Sequence, residues 1–372
     1  MQVEPFIQKE KMKQQYRVLI SGGGTGGHIF PAIAIANEIK NRFPNSEIEF
    51  VGAQGRMEMD KVPAAGYKIH GLWISGLQRS LTIKNLSLPF KVISSLRKSF
   101  RIIRKFKPDF TVGVGGYASG PLNYVAGKMG IPIFLQEQNS FPGVTNKLLK
   151  NSATKICVAY DGMERFFPKE KIVITGNPIR QDVLKATLSA EQARERFSLD
   201  PHKKTILVVG GSLGARTIND AIAENLELFE TENIQLLWQT GKNYNAEFGS
   251  FPWGTRTEFI QSMDLAYKAA DLVISRAGAM SVSELSALGK ATIFVPSPFV
   301  AEDHQTKNAM SLVTKEAALI CKDNQAKASL GKMAVDLLND AEKLSKLEAK
   351  IKTLGLPNAA EHIVNEIVKS LG

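Results

Sequence analysis

The 372-residue sequence predicts an α/β protein of two domains, each built around a parallel β-sheet. Short apolar strands alternate with helical stretches along the chain, which is the pattern of consecutive parallel strand–helix units. A strand, a glycine-rich loop and a helix also follow one another twice, once near the N-terminus and once past the middle. This repetition predicts two similar domains. Ligands of open α/β sheets bind beyond the carboxyl ends of the strands, so we expect the ligand in a cleft between the two domains.

The first copy of this pattern lies near the N-terminus. Residues 16–21 are a predicted buried strand, and the loop Gly-Gly-Gly-Thr-Gly-Gly-His follows at 22–28. Residues 29–40 then have helical periodicity, with Pro31 in the first turn, where a missing N–H is tolerated. Such a loop brings backbone N–H groups to a helix N-terminus, where they can hold a phosphate or a hydroxyl.

The second copy consists of a strand at 205–209, the loop Gly-Gly-Ser-Leu-Gly-Ala-Arg at 210–216 and one helix at 219–229. Ser212 adds a hydroxyl donor to this loop, and Arg216 adds a positive charge. The other apolar segments of the two halves are predicted strands at 48–51, 110–114, 131–135, 172–174, 236–239, 272–275 and 292–295.

The two halves are predicted to meet near residues 175–180, where glycine and proline indicate a joint. We expect a flexible extension at 1–15, an N-terminal domain at 16–177 and a C-terminal domain at 178–356. The segment at 357–372 has the pattern of an amphipathic helix, which is expected to pack back on the N-terminal domain.

The net charge of +11 comes from residues 61–108, which we call the basic segment. It holds eleven of the 47 lysines and arginines and no acidic residue, so thirty-six basic and 36 acidic residues remain elsewhere. A uniformly basic protein would indicate nucleic acid, which is not expected here, whereas a local excess indicates one anionic surface.

Apolar side chains are interleaved with the charges of the basic segment. This mixture fits a helix in the headgroup layer of an anionic membrane, and the alternative is a helical hairpin with a solvated basic face. The residues expected at a membrane or acceptor surface are Trp73, Ile74, Leu77, Arg79, Leu81, Lys84, Phe90 and Lys91.

Several other classes of protein are disfavoured. Gly22, Gly24 and Gly27 match the dinucleotide pattern, but the second strand does not end in the acidic residue that would bind a ribose. No Gly-Lys pair is followed by Ser or Thr, and no apolar run is long enough to span a membrane. Cys157 and Cys321 are too few for a disulfide framework. Without D-x-D, H-E-x-x-H or C-x-x-C motifs, we expect neither a metal nor another cofactor.

A third loop suited to an anion lies at residues 275–284, where a predicted strand leads into a helix. Its backbone N–H groups can surround a diphosphate. Glu284 follows about two turns later, where a carboxylate can accept hydrogen bonds from two ribose hydroxyls; the alternative is an ordinary solvated acid. Three such loops in two domains favour a nucleoside diphosphate as the ligand.

Seven motifs, in this order, resemble those of the MurG family, the cell-wall UDP-N-acetylglucosamine transferases. The resemblance runs from about residue 16 to the C-terminus. The motifs are GGGTGGHIFPAIAIA at 22–36, GGYASGP at 115–121, QEQNSFPGVTNK at 136–147, GNPIR at 176–180, GGSLGAR at 210–216, SRAGAMSVSE at 275–284 and DHQTKNA at 303–309.

The resemblance implies a GT-B glycosyltransferase, with two Rossmann-like domains and a cleft between them. It implies transfer of N-acetylglucosamine from UDP-N-acetylglucosamine to the 4-hydroxyl of the muramoyl sugar of lipid I, with inversion. The product is lipid II for peptidoglycan synthesis. The N-terminal domain would then face the lipid acceptor, undecaprenyl-diphosphate-linked muramoyl-pentapeptide, and the anionic inner leaflet. The C-terminal domain would bind the UDP-sugar, and the protein would be peripheral at the cytoplasmic face of the cell membrane.

The resemblance also implies roles for individual residues. Thr25, Gly26, Gly27 and Asn139 are similar to residues near the transferred sugar. Some family members have two glutamines where this chain has His304 and Gln305, so the resemblance does not extend to His304. The residues that resemble contacts to the nucleotide sugar are Arg180 and Ser212 for the phosphates or base, Ile260 for uracil, Ala279, Met280, Ser281, Val282, Ser283 and Glu284 for the diphosphate and ribose, and Gln305 for the sugar hydroxyls.

His28 is the leading candidate for the base that activates the acceptor hydroxyl, because imidazole titrates near the working pH. Its alternative roles are positioning the acceptor or the phosphate and capping the helix. Glu137 is a second candidate base, and its alternative role is to hold the loop at 136–139.

Two other functions remain open from the sequence. A UDP-N-acetylglucosamine 2-epimerase would share the two-domain layout and the donor, but it would not need the basic segment. A non-catalytic module on the membrane that holds a partner enzyme is the other alternative, and the two complete halves of a nucleotide site argue against it.

Overall fold

The computed structural model describes residues 15–76, 87–244 and 251–372. By its internal contacts the chain divides into two compact units. Unit 1 consists of Met1–Glu137, Pro142–Pro178 and Asn358–Gly372, and unit 2 of Gln138–Phe141 and Ile179–Pro357.

Unit 1 contains a seven-stranded sheet in which every pair of neighbouring strands is parallel. The strands are β1 (Arg17–Ser21), β2 (Glu47–Ala53), β3 (Lys68–Leu72), β4 (Phe110–Gly113), β5 (Ile133–Glu137), β6 (Lys155–Val158) and β7 (Ile172–Ile174). Their order is β3-β2-β1-β4-β5-β6-β7, and Ile20 of β1 pairs with Phe50 of β2 and with Val112 of β4.

Helices cover both faces of this sheet, which explains why its strands are almost continuously apolar. Val18 and Ile20 belong to the core that also contains side chains of the first and last helices of the chain, while Leu19 belongs to the core on the other face. The helices of unit 1 are α1 (Gly26–Arg42), α2 (Glu58–Ala64), α3 (Leu88–Phe106), α4 (Ser119–Lys128), α5 (Val144–Leu149) and the C-terminal helix α14 (Ala359–Leu371).

Unit 2 contains a six-stranded sheet, again with all neighbouring strands parallel. Its strands are β8 (Thr205–Val209), β9 (Gln235–Gln239), β10 (Thr255–Thr257), β11 (Leu272–Ser275), β12 (Thr292–Phe294) and β13 (Leu319–Ile320), in the order β10-β9-β8-β11-β12-β13. Its helices are α6 (Ala190–Arg196), α7 (Arg216–Ala223), α8 (Leu226–Thr231), α9 (Met263–Ala269), α10 (Ala279–Leu288), α11 (His304–Val313), α12 (Ala326–Asn339) and α13 (Ala341–Thr353).

The strand order reverses at the same place in both units, between β1 and β4 and between β8 and β11. At such a reversal the connections leave in opposite directions, so a crevice opens beyond the carboxyl ends of the two strands. The glycine-rich loops that follow β1 and β8 therefore lie at the positions where an open α/β sheet binds ligands.

Two helix predictions are wrong in detail. Helix α1 begins at Gly26, so Pro31 lies in its second turn rather than the first and cannot donate to the carbonyl of Gly27. The single helix predicted at 219–229 is two helices, α7 and α8. They separate near Asn225, whose side chain donates to the Ala221 carbonyl at 2.8 Å and so competes with continued helical bonding.

Four strands were not predicted. Strand β3 contains Lys68, His70 and Gly71, which interrupt its apolar pattern. Strand β6 begins with Lys155, β10 is Thr-Arg-Thr, and β13 has only two residues. These segments are strands because a neighbouring strand supplies their hydrogen bonds, which is information that local sequence does not carry.

Arg194 is a buried cation that connects three parts of unit 2. Its guanidinium donates to both carboxylate oxygens of Asp271 at 2.9 and 2.8 Å, to the Ala269 carbonyl at 3.0 Å and to the Pro201 carbonyl at 2.8 Å. Asp271 also accepts the backbone N–H of Thr205 at 2.7 Å. The ion pair therefore fixes the starts of the two central strands, β8 and β11.

We predict that Arg194→Met lowers the free energy of unfolding of unit 2 by about 1–3 kcal/mol, because Asp271, whose side chain is 32% exposed, loses the charged donor of two hydrogen bonds. Urea denaturation followed by circular dichroism measures the change. The matched control is Lys327→Met, which removes an exposed ion pair with Glu224 and should change stability little. Equal effects of the two substitutions would contradict the role given to Arg194.

Candidate functional site

In unit 2, the loop after β8 is packed tightly against the end of β9. Gly214 has a φ of +78°, and a Cβ at this position would lie 1.9 Å from the Thr240 carbonyl oxygen. Only glycine fits such an approach. The loop then enters α7 at Arg216, and no side chain caps this helix. Ser212 is exposed on the loop, where its hydroxyl is accessible.

Gln239, at the end of β9, joins the glycine loop to the segment predicted to meet uracil. Its side-chain amide donates to the Gly211 carbonyl at 3.0 Å and accepts the backbone N–H of Ile260 at 2.8 Å. Ile260 itself is buried. Gln239 was not among the predicted site residues, although its place at the carboxyl end of a strand beside the loop is a usable signal.

The segment after β11 forms an uncapped helix N-terminus. Gly278 precedes α10 in an extended conformation without a side-chain cap, and the first helical hydrogen bond runs from Val282 to the Gly278 carbonyl. The three N–H groups before it therefore have no partner in the preceding turn of the helix. They belong to Ala279, Met280 and Ser281, and Ser283 and Glu284 follow in the next turn.

Glu284 is a buried carboxylate with two partners. It accepts a hydrogen bond from Arg180 Nε at 3.2 Å and another from the Tyr267 hydroxyl at 3.0 Å. The structure thus brings together Arg180 and Glu284, which are 104 positions apart in sequence. Glu284 is not the solvated helix acid that the sequence left open, because its side chain is only 8% exposed. Tyr267 is a further residue of this site that the sequence analysis missed.

The charges of this group are fixed by its geometry. Burial lowers the pKa of Arg180, but the charge and the hydrogen bond of Glu284 outweigh it, so the net pKa is raised. Burial, followed by the charge of Glu284, raises the pKa of the Tyr267 phenol well above its ordinary value. Arg180 therefore stays cationic and Tyr267 stays a neutral donor at physiological pH.

Asn308 of α11 organises a second polar group in unit 2. Its buried side chain accepts hydrogen bonds from the Ser140 N–H and hydroxyl, both at 3.1 Å. Its amide donates to Asn139 Oδ1 at 3.2 Å and to the Ala277 carbonyl at 3.3 Å. Asn139, a predicted sugar contact, is therefore held beside the segment that leads into α10. Asn308 lies within the DHQTKNA motif, but only its contacts reveal its role.

Gln305 lies in the first turn of α11, next to an unusual stretch of backbone. Its side-chain oxygen accepts the Ser297 N–H at 2.8 Å. Glu302 and Asp303, just before the helix, have φ values of 56° and 50°, which are unfavourable for residues with a Cβ. Such conformations often mark functional segments. His304 is the first residue of this helix.

In unit 1, the loop after β1 holds His28 by one ring nitrogen. His28 Nδ1 lies 3.1 Å from the Gly23 carbonyl oxygen and 3.2 Å from Thr25 Oγ1. Because a carbonyl only accepts, the contact with Gly23 requires a proton on Nδ1, and the lone pair of a neutral ring is then on Nε2. Helix α1 begins at Gly26, Gly27 is its second residue, and no side chain caps its N-terminus.

Glu137, the second candidate base, is engaged with its own loop. The side chain is 2% exposed, and its Oε2 accepts the Gly143 N–H at 3.1 Å and the Asn146 amide at 2.9 Å. Both contacts hold the backbone that follows β5. The carboxylate thus supports the conformation of this loop, which is the alternative role expected for Glu137.

The described part of the basic segment exposes apolar and basic side chains together. Trp73 is 50% exposed and Phe90 is 69% exposed. The ammonium of Lys91 lies 5.8 Å from the centre of the Trp73 ring and donates to Ser75 Oγ at 3.1 Å. Ile74 is half-buried against the core. Four residues predicted for this surface lie outside the described residues: Leu77, Arg79, Leu81 and Lys84.

Helix α3 continues this surface. It buries a narrow stripe that includes Ile102 and Ile103, and its basic residues lie largely outside that stripe. A cavity of about 860 Å³ lies along it, with Ile93, Arg97 and Arg101 in its wall. Within residues 15–76, 87–244 and 251–372, no helix is both long and apolar enough to cross a bilayer.

Comparison with known proteins identifies the domains. Residues 18–158 match the glycosyltransferase family 28 N-terminal domain, and residues 205–363 match the glycosyltransferase family 28 C-terminal domain.

The crystal structure of Acinetobacter baumannii MurG superimposes with a TM-score of 0.75 at 28% identity, covering 95% of this chain and 99% of that chain. A UDP-GlcNAc 2-epimerase from Neisseria meningitidis has a TM-score of 0.67 at 16% identity, over 95% of this chain and 100% of that one, which shows only a shared fold.

Two curated relatives are more than half identical to the chain over nearly its whole length. Both are named UDP-N-acetylglucosamine--N-acetylmuramyl-(pentapeptide) pyrophosphoryl-undecaprenol N-acetylglucosamine transferase. The protein of Flavobacterium psychrophilum is 54% identical and that of Parabacteroides distasonis 56%, and each match covers 96% of this chain and 98% of the relative. The chain therefore has the GT-B fold and belongs to glycosyltransferase family 28, within its MurG family of N-acetylglucosamine transferases.

Proposed function

We propose that this protein transfers N-acetylglucosamine from UDP-N-acetylglucosamine to the 4-hydroxyl of the muramoyl sugar of lipid I, inverting the anomeric carbon and giving lipid II. The observation that carries the proposal is the near-full-length identity with relatives named for this transfer. The matched length includes both units and all seven motifs, so it covers donor and acceptor residues alike.

We assign the donor to unit 2. The N–H groups at the start of α10 receive the diphosphate, because an uncapped helix N-terminus favours an anion. Glu284 accepts hydrogen bonds from the ribose hydroxyls, and the backbone of Ile260 meets uracil. Gln305 and Asn139 contact the sugar, and the hydrogen bonds of Asn308 support the position of Asn139.

Arg180 has a further role when UDP leaves. It pairs with Glu284 through Nε, so we assign its terminal nitrogens to the developing negative charge on the phosphates. A diphosphate leaving group needs no proton from a general acid. Fixed donors that face the developing charge supply the stabilisation.

We assign the acceptor to unit 1, with His28 as the base. Nε2 takes the proton of the 4-hydroxyl as its oxygen attacks the anomeric carbon and the bond to UDP breaks. The contact of Nδ1 with the Gly23 carbonyl supports this assignment, because it fixes the ring and the tautomer. The two loop contacts of Glu137 favour a structural role for that carboxylate.

We also propose that unit 1 docks on the anionic inner leaflet, as a peripheral protein at the cytoplasmic face of the cell membrane. Trp73 and Phe90 would enter the headgroup layer, and the basic side chains of α3 would meet lipid phosphates. The acceptor is itself held in that leaflet, so docking would raise its local concentration.

We predict that the purified protein, given radiolabelled UDP-N-acetylglucosamine and a short-chain lipid I analogue without divalent metal, transfers label into the lipid fraction. His28→Gln should lower kcat by about 10²-fold or more, because a positioned base contributes about that much. The KM for UDP-N-acetylglucosamine should change little, since His28 is assigned to the acceptor.

The matched control for this assay is His362→Gln, which changes a histidine of α14 that we assign no role. Formation of UDP-N-acetylmannosamine from the donor alone would instead support the epimerase. Donor binding without either reaction would contradict the proposed transfer and favour a binding module.

For membrane docking, we predict that Phe90→Ser weakens binding to anionic phospholipid vesicles by about 10- to 100-fold, because a buried phenyl contributes roughly 1.5–3 kcal/mol. Vesicle co-sedimentation at several lipid concentrations measures the affinity. Phe299→Ser is the control, since Phe299 is 90% exposed in unit 2. An equal loss in both variants, or none in Phe90→Ser, would refute docking through this surface.

A further inference from the structure

Glu58, at the start of α2, is a completely buried carboxylate that none of the proposed steps uses. Its Oε2 accepts the Gly24 N–H at 3.1 Å, and its Oε1 accepts the Ala53 N–H at 3.0 Å. Each oxygen thus has a backbone donor, which fits the ionised form of the side chain. A buried carboxylate is costly unless it is paired in this way. Glu58 is paired with the backbone of the glycine loop itself, through the Gly24 N–H.

The Gly24 N–H and the Gly23 carbonyl belong to one peptide bond. On one side of this peptide, Glu58 accepts from the N–H, and on the other side the carbonyl oxygen lies 3.1 Å from His28 Nδ1. The order is therefore carboxylate, peptide, imidazole. Hydrogen bonds in series polarise one another, so an anion that accepts from the N–H makes the carbonyl of the same peptide a stronger acceptor.

We propose that Glu58 is a positioning residue that acts on His28 through the Gly23–Gly24 peptide. The carboxylate holds the peptide in the orientation that aims its carbonyl at Nδ1, and it stabilises the imidazolium that forms when Nε2 takes the acceptor proton. This inference rests on the proposed role of His28 as the base. Glu58 touches neither substrate, and the peptide carries its effect.

The packing around Glu58 shows that the arrangement is built into the loop. A Cβ on Gly23 would lie 2.2 Å from Glu58 Oε1, and a Cβ on Gly52 would lie 2.6 Å from Glu58 Cγ. Both glycines are therefore needed for the carboxylate to reach the peptide. The sequence suggested only that the glycine loop at 22–28 holds a phosphate or a hydroxyl, whereas the structure places a side chain of the protein itself against Gly23.

The imidazole also needs such support because of its position. His28 lies in the first turn of α1, where the helix dipole disfavours a positive charge. Tyr117 is a second titratable group at this loop, and its ring is 3.4 Å from the Cβ position of Gly24. Helix α14 packs against α1 through apolar side chains, Ile363, Val364 and Ile367. Glu58 is an anion that can offset the dipole, because it accepts from the peptide whose carbonyl lies against His28.

The test is Glu58→Gln, which keeps the shape of the side chain but removes its charge. We expect kcat to fall about tenfold, with less than a twofold change in the KM for UDP-N-acetylglucosamine, because loss of a charge-assisted hydrogen bond has about this effect. The rate rises with pH as the base loses its proton. Removing the anion disfavours imidazolium, so this rising limb should move to lower pH.

A second readout does not depend on catalysis. NMR titration of the His28 ring in the intact protein should show a lower pKa in Glu58→Gln than in the parent, and Glu58→Asp, which keeps the charge, should recover part of the difference. Glu49→Gln is the matched control, because Glu49 lies on β2 in the same unit and pairs with Lys68 and His70 rather than the loop. That control should leave the His28 titration unchanged.

A lower kcat with an unshifted pH limb and an unshifted His28 titration would overturn the proposal and leave Glu58 as a structural residue. If Glu58→Gln does not fold, Glu58→Asp carries the test, because its shorter side chain moves the carboxylate away from the Gly24 N–H. A His28 pKa below that of the parent supports the proposal, and a His28 titration equal to that of the parent refutes it. If His28→Gln keeps full activity, the role of the base fails, and the titration still decides whether Glu58 acts on the ring.

Discussion

The structure depends on one constraint, the parallel pairing of strands. Parallel neighbours require a crossover connection between them, so the carboxyl ends of all strands meet at one edge of each sheet. At that edge, the strand order reverses between β1 and β4 and between β8 and β11, which opens a crevice for a ligand. The loops at those reversals precede α1, α4, α7 and α10. Chemistry is therefore concentrated where helix N-termini and close backbone approaches already exist, and the rest of each unit serves to hold these loops.

The polar groups at these loops are paired with one another. Arg180 and Tyr267 both donate to Glu284, Gln239 bridges the glycine loop and Ile260, and Asn308 holds the chain around Asn139. Pairing of this kind keeps buried polar groups satisfied and pre-sets their orientation. If these residues bind the donor as proposed, little has to be ordered at the moment of binding.

Much of the fold is predictable because residues 16–21 and 205–209 are apolar strands that run directly into glycine loops. Strand β3 is not predictable, because Lys68 and His70 face Glu49 across the sheet and hide the apolar pattern. Glu284 and His28 could be selected from the sequence as candidate site residues because each lies in a motif. Glu58 and Tyr267 lie outside the motifs, and their roles come from contacts with residues distant in sequence, which no local pattern records.

The most direct test of this account is a crystal structure with UDP-N-acetylglucosamine bound. We predict that the diphosphate lies at the first turn of α10, that the ribose hydroxyls contact Glu284, and that a terminal nitrogen of Arg180 contacts a phosphate oxygen. A diphosphate bound at the first turn of α1, with Glu284 still bonded only to Arg180 and Tyr267, would contradict the assignment of the donor to unit 2.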